Sequence, residues 1–413
     1  MYVLSRVMSR ESAAIDGSSL VLDTRNIAAG LYFLRFVGNQ HDFVTKVKIN
    51  KSNDCPLTEL SRYLNSCDMM KIISILFFFL IHLSALTFGQ ETFTNPLLPS
   101  GADPWNIYKD GYYYYTNTLG DRIDIWKTEN LANLKTAERK TIWTPPPGTL
   151  YSKGIWAPEI HFINGKWYVY FAADNGKNEN HRLYVLENTS ANPLEGEWKF
   201  KGKISDPSDK WAIDGSVFWH KKKLYMVWSG WEGDTNGRQD LYIARLKNPW
   251  TIKGKRVKIS HPELEWERHG DLNDPHNPPH VAVNEGPQVL RQRDKLFIIY
   301  SASGCWTDFY ALGMLIASAN SNLRNAASWQ KHPQPVFQQS TKNNVFAPGH
   351  NSFFKSPDGN EDWILYHANS EPGQGCGRHR SPRAQKFTWN ADGMPVFGEP
   401  VEEGVALQVP SEN

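Results

Sequence analysis

A short strand-opening phrase returns five times along this chain, each time with an acidic residue or a histidine at its centre. The phrases are GADPW (Asp103), WAPEI (Glu159), AIDGS (Asp214), NEGPQ (Glu285) and APGHN (His350). They lie roughly 55 to 70 residues apart, which is the period of a stacked supersecondary unit rather than of single strands. A tight turn and an aromatic strand accompany each phrase: YKDGYYYYT, INGKWYVYFA, HKKKLYMVWS, RQRDKLFIIYS and SPDGNEDWILYH. A third alternating segment comes next: RIDIWKT, HRLYVLEN, QDLYIARL, ALGMLIAS and RAQKFTW. Period-2 alternation bounded by Gly, Asp and Asn marks these segments as strands, and no stretch sustains a 3.6-residue period. Five repeats of about four strands each predict an all-β fold, a five-bladed β-propeller, because a lone blade exposes two faces and a ring of blades buries both. A β-sandwich of similar length is the competing architecture. It gives no reason for five equivalent polar positions.

The first strand of each propeller blade lines the central channel. Asp103, Glu159, Asp214, Glu285 and His350 should therefore ring one mouth of it. Carboxylates crowded into one concavity raise one another's pKa, a cost more often met for chemistry than for structure. The chemistry that uses such a set is glycoside hydrolysis. One carboxyl must stay protonated to serve the leaving oxygen, and another must stay ionised to activate water or attack the sugar. A third can hold the acid's pKa up. Any one of these residues taken singly reads as an ordinary turn Asp or a satisfied surface Glu; only the set points to a site.

The motif order from about Asn95 to Pro410 resembles glycoside hydrolase family 43, closest to its exo-1,5-α-L-arabinofuranosidase branch. That family opens with an Asp in A-D-P, continues with an Asp before Gly and Ser, and ends with a Glu in E-G-P. Here these are GADPW, AIDGSVF and NEGPQVL. The resemblance implies an inverting hydrolase of α-L-arabinofuranosides or β-D-xylosides on a five-bladed propeller. It implies Asp103 as general base, Glu285 as general acid and Asp214 as the group that tunes and orients that acid. The expected activity is release of terminal arabinofuranose from arabinan or arabino-oligosaccharides. A β-D-xylosidase and a non-catalytic sugar-binding propeller are the alternatives.

Other residues join the candidate site with weaker warrant. Glu159 occupies an equivalent blade position and reads as a hydrogen-bonding partner near the sugar. Trp105, Trp156 and Trp231 offer faces on which sugar rings stack, or else pack in the core. His350 resembles the axial histidine that family members set beside a central cation or water, so it is the one candidate metal residue, acting through water. Arg383, in SPRAQKF, matches a family arginine that binds sugar hydroxyls; a surface ion pair is its plainer role. The chemistry requires no cofactor, and the channel leaves room for a structural calcium or sodium ion. The segment ERHGDLNDPHNPPHVAV carries His269, Asp271, Asp274, His276 and His280, but the spacing fits no zinc pattern. It reads as a rim loop that shapes substrate choice.

Upstream of the repeats stands MMKIISILFFFLIHLSALTFGQ. A short basic start, an apolar run broken by His82 and Ser84, and small residues before Gln90 are the layout of a secretory signal peptide over 69–89. A membrane-spanning helix needs about 20 apolar residues, more than this run supplies; a buried core helix is the third option. Export with cleavage before Gln90 leaves 90–413 as the catalytic domain, either secreted or periplasmic. Residues 1–50 alternate as strands, with a hairpin signal around GNQ. IAAGLYFLRF and KVKINK resemble the closing half of the carboxy-terminal sorting domain of type IX secretion cargo, displaced here to the front. Together with the polar linker 51–68, this segment reads as the tail of another gene joined to this one, or as a start assigned too early; a genuine small β-module is the alternative.

The balance of charge narrows the partners. A net charge of +2 offers no footprint for nucleic acid. Sixteen Trp and an aromatic content of 13% suit stacked sheets and sugar recognition alike. The expected partner is an arabinose-containing oligosaccharide, with no membrane association after signal cleavage, and the enzyme is read as a monomer. Beyond Cys55 and Cys67 lie Cys305 and Cys376, which either pair in an oxidising compartment or remain two buried thiols.

Overall fold

The computed structural model describes strands within residues 2–49, then residues 91–270 and 281–412. The linker 51–68, the signal segment 69–89 and the middle of the expected rim loop, 271–280, lie outside the described residues. The chain divides into two compact units, Met1–Phe88 and Gly89–Asn413. In the first, Gly30–Val37 and Asp42–Ile49 form the expected antiparallel hairpin. The third strand of that sheet is Tyr2–Leu4. Ser19–Leu20 pairs with Ile15–Asp16.

The second unit is built almost wholly of strands, and its described helices are four short 3₁₀ turns. Its strands run in antiparallel groups of four. The first group is Trp105–Lys109, Tyr112–Thr116, Ile123–Thr128 and Glu138–Trp143. The second is Lys153–Ile163, Lys166–Asp174, Arg182–Asn188 and Lys199–Ile204. The third is Ala212–His220, Lys223–Gly230, Arg238–Asn248 and Thr251–Ser260. The fourth is Ala282–Gln292, Lys295–Ala302, Ala311–Ser318 and Gln330–Lys331. A two-residue parallel pairing of Arg238 and Gln239 with Ala282 and Val283 joins the third and fourth groups into one sheet. The last group is Phe346–Lys355, Asp362–Asn369, Ser381–Trp389 and Pro395–Val396.

Apolar side chains collect between successive groups because each central strand is apolar on both faces. Tyr114, Val169 and Phe171 pack between the first and second groups. Tyr170, Val217 and Met226 pack between the second and third, and Ile243 with Ile298 between the third and fourth. Ile299 and Tyr366 pack between the fourth and last. Tyr113, Phe354 and Trp363 then join the last group to the first. Fully burying one such side chain contributes about 1.5–3 kcal/mol, so these interfaces rather than the sheet edges hold the groups together. The opening strand of each group touches that of the next, and Phe346–Lys355 touches Trp105–Lys109. Thr92–Thr94 pairs with Ala406–Gln408, drawing the two ends of the unit together.

One local irregularity sets the site. Four opening strands carry a one-residue bulge at the same level, between Trp156 and Glu159, Ile213 and Ser216, Glu285 and Gln288, and Gly349 and Ser352. Each bulge contains a residue of positive φ: Ala157, Asp214, Gly286 and His350. Asp103, just ahead of the first opening strand, has φ 58°. A bulge of this kind breaks strict alternation and turns a side chain off the pleat. Asp tolerates the left-handed region better than most residues. Backbone outliers of this kind cluster at functional sites.

Candidate active site

The bulges and the positive-φ step at Asp103 bring Asp103, Asp214, Glu285 and His350 to one cavity of about 430 Å³. Thr118, Trp156, Trp211, Trp306, Arg380 and the Cys305–Cys376 pair also line it. All four polar residues named first have little contact with solvent. Asp103, Asp214 and His350 are buried, and only Glu285 is half-buried.

Asp103 is surrounded by donors. Thr118 Oγ1 donates to its Oδ2 at 2.6 Å, and the Ala157 N–H in turn donates to Thr118 Oγ1 at 2.7 Å. Arg380 Nη1 donates to its Oδ1 at 3.1 Å, and His350 Nδ1 lies 3.3 Å from the same oxygen. Burial alone would raise the Asp103 pKa. His350, Arg380 and the Thr118 hydroxyl outweigh it and hold the carboxyl well below the usual range. His367 plays another part. Its Nδ1 accepts the Asp103 backbone N–H at 3.0 Å, so that nitrogen carries no proton. Burial pushes His367 far below the ordinary imidazole value. It is thus a neutral support, not an ion-pair partner, despite lying 3.5 Å from Asp103 Oδ1.

Asp214 and Glu285 behave in the opposite way. Burial pushes Asp214 up to about 7; Glu285 and Asp103 add to the rise, while His350 and the Gly286 N–H, donating at 2.9 Å, oppose it. Burial likewise raises Glu285, with Asp103 adding and His350 and the Tyr310 hydroxyl opposing. Tyr310 donates to Glu285 Oε1 at 2.8 Å and lies parallel to His367 with ring centroids 5.7 Å apart. Burial works against the charged form of His350, but Asp103, Asp214 and Glu285 together raise its pKa. The cavity thus holds one carboxyl kept ionised and two that favour their protons, which is the division of labour acid–base chemistry needs.

The expected residues part company at the walls. Trp156 lines the cavity and stacks on His181 at 3.9 Å. Glu159 lies beneath it, with its carboxylate taken by the Gln288 amide and lying 2.9 Å from His161 Nε2. The structure does not bring Trp105, Trp231 or Arg383 to the cavity wall. Trp105 donates its indole N–H to Ile160 O at 2.8 Å and packs on His161, bridging the first two strand groups. Trp231 is buried behind Trp211, with rings 4.8 Å apart and 9° from parallel, so Trp211 presents the face to the cavity. Arg383 is wholly buried and reaches Ser370 Oγ at 2.7 Å and Glu403 at 3.4 Å. Arg380, three residues earlier, is the arginine at the site.

Thr118, Trp211, Trp306, Tyr310, His367 and Arg380 are therefore site residues that the motifs did not single out. Cys305 and Cys376 form a disulfide. On the flanks of the expected rim loop, His269 stacks on Phe309 at 4.1 Å, and Val281 lines the cavity. Among the described residues no three His, Cys, Asp or Glu side chains converge as a metal site.

An all-β unit with paired, oppositely tuned carboxyls in one cavity has the equipment of a glycosidase. Residues 93–395 match Glycosyl hydrolases family 43, and the chain belongs to that family. It is 44% identical over 333 residues to an extracellular exo-alpha-(1->5)-L-arabinofuranosidase of Streptomyces avermitilis, covering 78% of this chain and 67% of that protein. It is 39% identical over 323 residues to alpha-L-arabinofuranosidase 43 of Humicola insolens, covering 76% of this chain and 64% of that one. The chain thus spans about two thirds of the length of these two relatives. A crystal structure of an alpha-L-arabinofuranosidase from Lactobacillus brevis superposes with a TM-score of 0.70 at 38% identity, over 76% of this chain and 98% of that one. The chain is a glycosidase. Among the described residues no helix is long and apolar enough to cross a membrane.

Proposed function

We propose that this chain is an exported, exo-acting α-L-arabinofuranosidase that removes terminal arabinofuranosyl residues from arabinan and arabino-oligosaccharides by single displacement with inversion. The observation that carries this reading is the opposed tuning of Asp103 against Glu285 and Asp214 within one cavity. Asp103, ionised by Arg380, His350 and Thr118, takes the proton of the attacking water. Glu285, whose pKa burial raises, gives its proton to the leaving oxygen. Asp214 sits on the Gly286 N–H beside it and shares that proton burden. Trp156, Trp211 and Trp306 supply apolar faces for the sugar, and no cofactor enters the chemistry. The five strand groups are read as five blades of a propeller, supported by the apolar contact between the last group and the first. The names of the similar proteins support arabinofuranose as the sugar, and the extracellular relative supports export through the segment 69–89.

The rate should follow a bell-shaped pH profile. Loss of the Asp103 charge governs the acidic limb, and that carboxyl lies below the usual range, so activity should persist well into the acid region. Loss of the proton shared by Glu285 and Asp214 governs the alkaline limb, which should fall near pH 7. A pH–rate series of kcat/KM checks both limbs, and a flat profile would count against these roles. Product analysis on arabinan, arabinoxylan and xylo-oligosaccharides tests the substrate. Free arabinose from short α-1,5-arabino-oligosaccharides is expected. Cleavage of xylosides with no arabinose released would establish the xylosidase alternative, and binding without turnover would establish the lectin-like one.

A further inference from the structure

We propose that the Cys305–Cys376 disulfide is a positioning element of the active site, fixing at once the Trp306 sugar face and the Arg380 side chain that reaches Asp103. The inference rests on the glycosidase reading and adds to it a wall held in place by one covalent bond.

Both cysteines line the cavity, with Cα atoms 5.2 Å apart and a separation of 71 positions in sequence. Cys305 lies just after strand Lys295–Ala302 of the fourth group, and Trp306 is the next residue. Cys376 lies between Asp362–Asn369 and Ser381–Trp389 of the last group, four residues ahead of Arg380. Neither connection belongs to a strand ladder. The second carries Gly373, Gly375 and Gly377, so its own backbone does little to hold a shape. One weaker tie joins the same pair of loops: the Gly373 N–H donates to Asp308 Oδ1 at 2.8 Å. The Ala347 N–H, from the opening strand of the last group, donates to Asp308 O at 3.2 Å.

Trp306 depends on this anchor. Among the described residues its indole N–H is buried without a partner, so none of them fixes the ring by a hydrogen bond. It is held by shape. A Cβ at Gly304 would come within 2.3 Å of the ring and one at Gly270 within 2.6 Å, so both positions must stay bare for the ring to lie where it does. A ring held by shape alone keeps its place only while the backbone beneath it is fixed. The Arg380 backbone accepts the Gly101 N–H at 2.9 Å, but among the described residues its Nε is buried without a partner, and its Nη1 reaches Asp103. Loosening the second loop would therefore free the guanidinium, and the Asp103 pKa would rise.

The test compares the oxidised enzyme with the double variant Cys305→Ser/Cys376→Ser and with wild type reduced under native conditions, with thiols counted. KM for arabino-oligosaccharide should rise on the order of tenfold to a hundredfold as the wall loses its geometry. The acidic limb of the pH profile should move to higher pH, and reoxidation of the reduced wild type should reverse both changes. A merely structural disulfide would lower the melting temperature and leave KM and the acidic limb where they were; that result overturns the proposal. Should the double variant not fold, the disulfide-intact variants decide. Trp306→Ala should raise KM without moving the acidic limb, and Arg380→Gln should move the limb; failure of both overturns the proposal too. If wild type hydrolyses no glycoside, the glycosidase reading fails and this role with it. An active wild type with unmoved KM and limb after reduction sinks the disulfide role alone.

Discussion

Glu285→Gln is expected to abolish nearly all turnover of arabino-oligosaccharides while the protein still binds them. The amide keeps the shape of the carboxyl and can still accept from Tyr310. What it lacks is a proton to give. Removing a general acid of this kind costs on the order of 10²–10⁴ in kcat. The loss should be smaller for an aryl glycoside, whose leaving group needs little protonation, and that contrast separates lost acid catalysis from a damaged site. Steady-state kinetics on both substrates, with calorimetric binding, makes the comparison. Equal losses on the two substrates would point to a structural fault rather than a missing acid. An unchanged rate would remove Glu285 from the mechanism.

Asp103→Asn should be as severe, with a different signature. The variant loses the base, and kcat should again fall on the order of 10²–10⁴. It also loses the negative charge that helps raise Asp214 and Glu285 and that does most among the carboxylates to raise His350. Residual activity should therefore show an alkaline limb moved to lower pH. The sign is fixed by the arrangement: without Asp103, Arg380 and His350 stabilise the ionised forms of the other two carboxyls more than before. A residual profile with its alkaline limb unmoved would mean that the three carboxyls are not electrostatically linked.

The two roles were legible in the sequence because chemistry and fold leave marks in the same phrases. In GADPW, WAPEI and NEGPQ a proline follows the residue that takes positive φ, in AIDGS a glycine does, and in APGHN the proline follows Ala347, also at positive φ, three residues ahead of the bulged His350. The recurring Pro and Gly thus marked the irregular step that turns side chains to the cavity. The aromatic middle strands were equally plain, since both of their faces are buried. The outer strands were not: Glu138–Trp143 is largely exposed, Thr251–Ser260 is mostly half-buried, and both are rich in polar residues, so little in their pattern sets them apart from loop.

The site walls were hidden for a different reason. Arg380 and Arg383 stand on either side of Ser381-Pro382, and only the strand's start and facing decide which reaches Asp103. Trp211 and Trp231 stack face to face, so whichever is nearer the cavity hides the other, and local sequence does not order them. The disulfide joins loops of different strand groups, so its pairing follows from tertiary proximity that spacing alone does not encode. His367 lies in an alternating strand like its neighbours, and its support of Asp103 spans 264 positions in sequence.

The most direct test of the central claim is the anomeric form of the first arabinose released from a short α-1,5-arabino-oligosaccharide, followed by proton NMR before mutarotation. Single displacement with Asp103 as base and Glu285 as acid predicts that β-arabinofuranose appears first and the α form grows in later. Initial release of the α anomer, or no release of arabinose at all, would contradict the account.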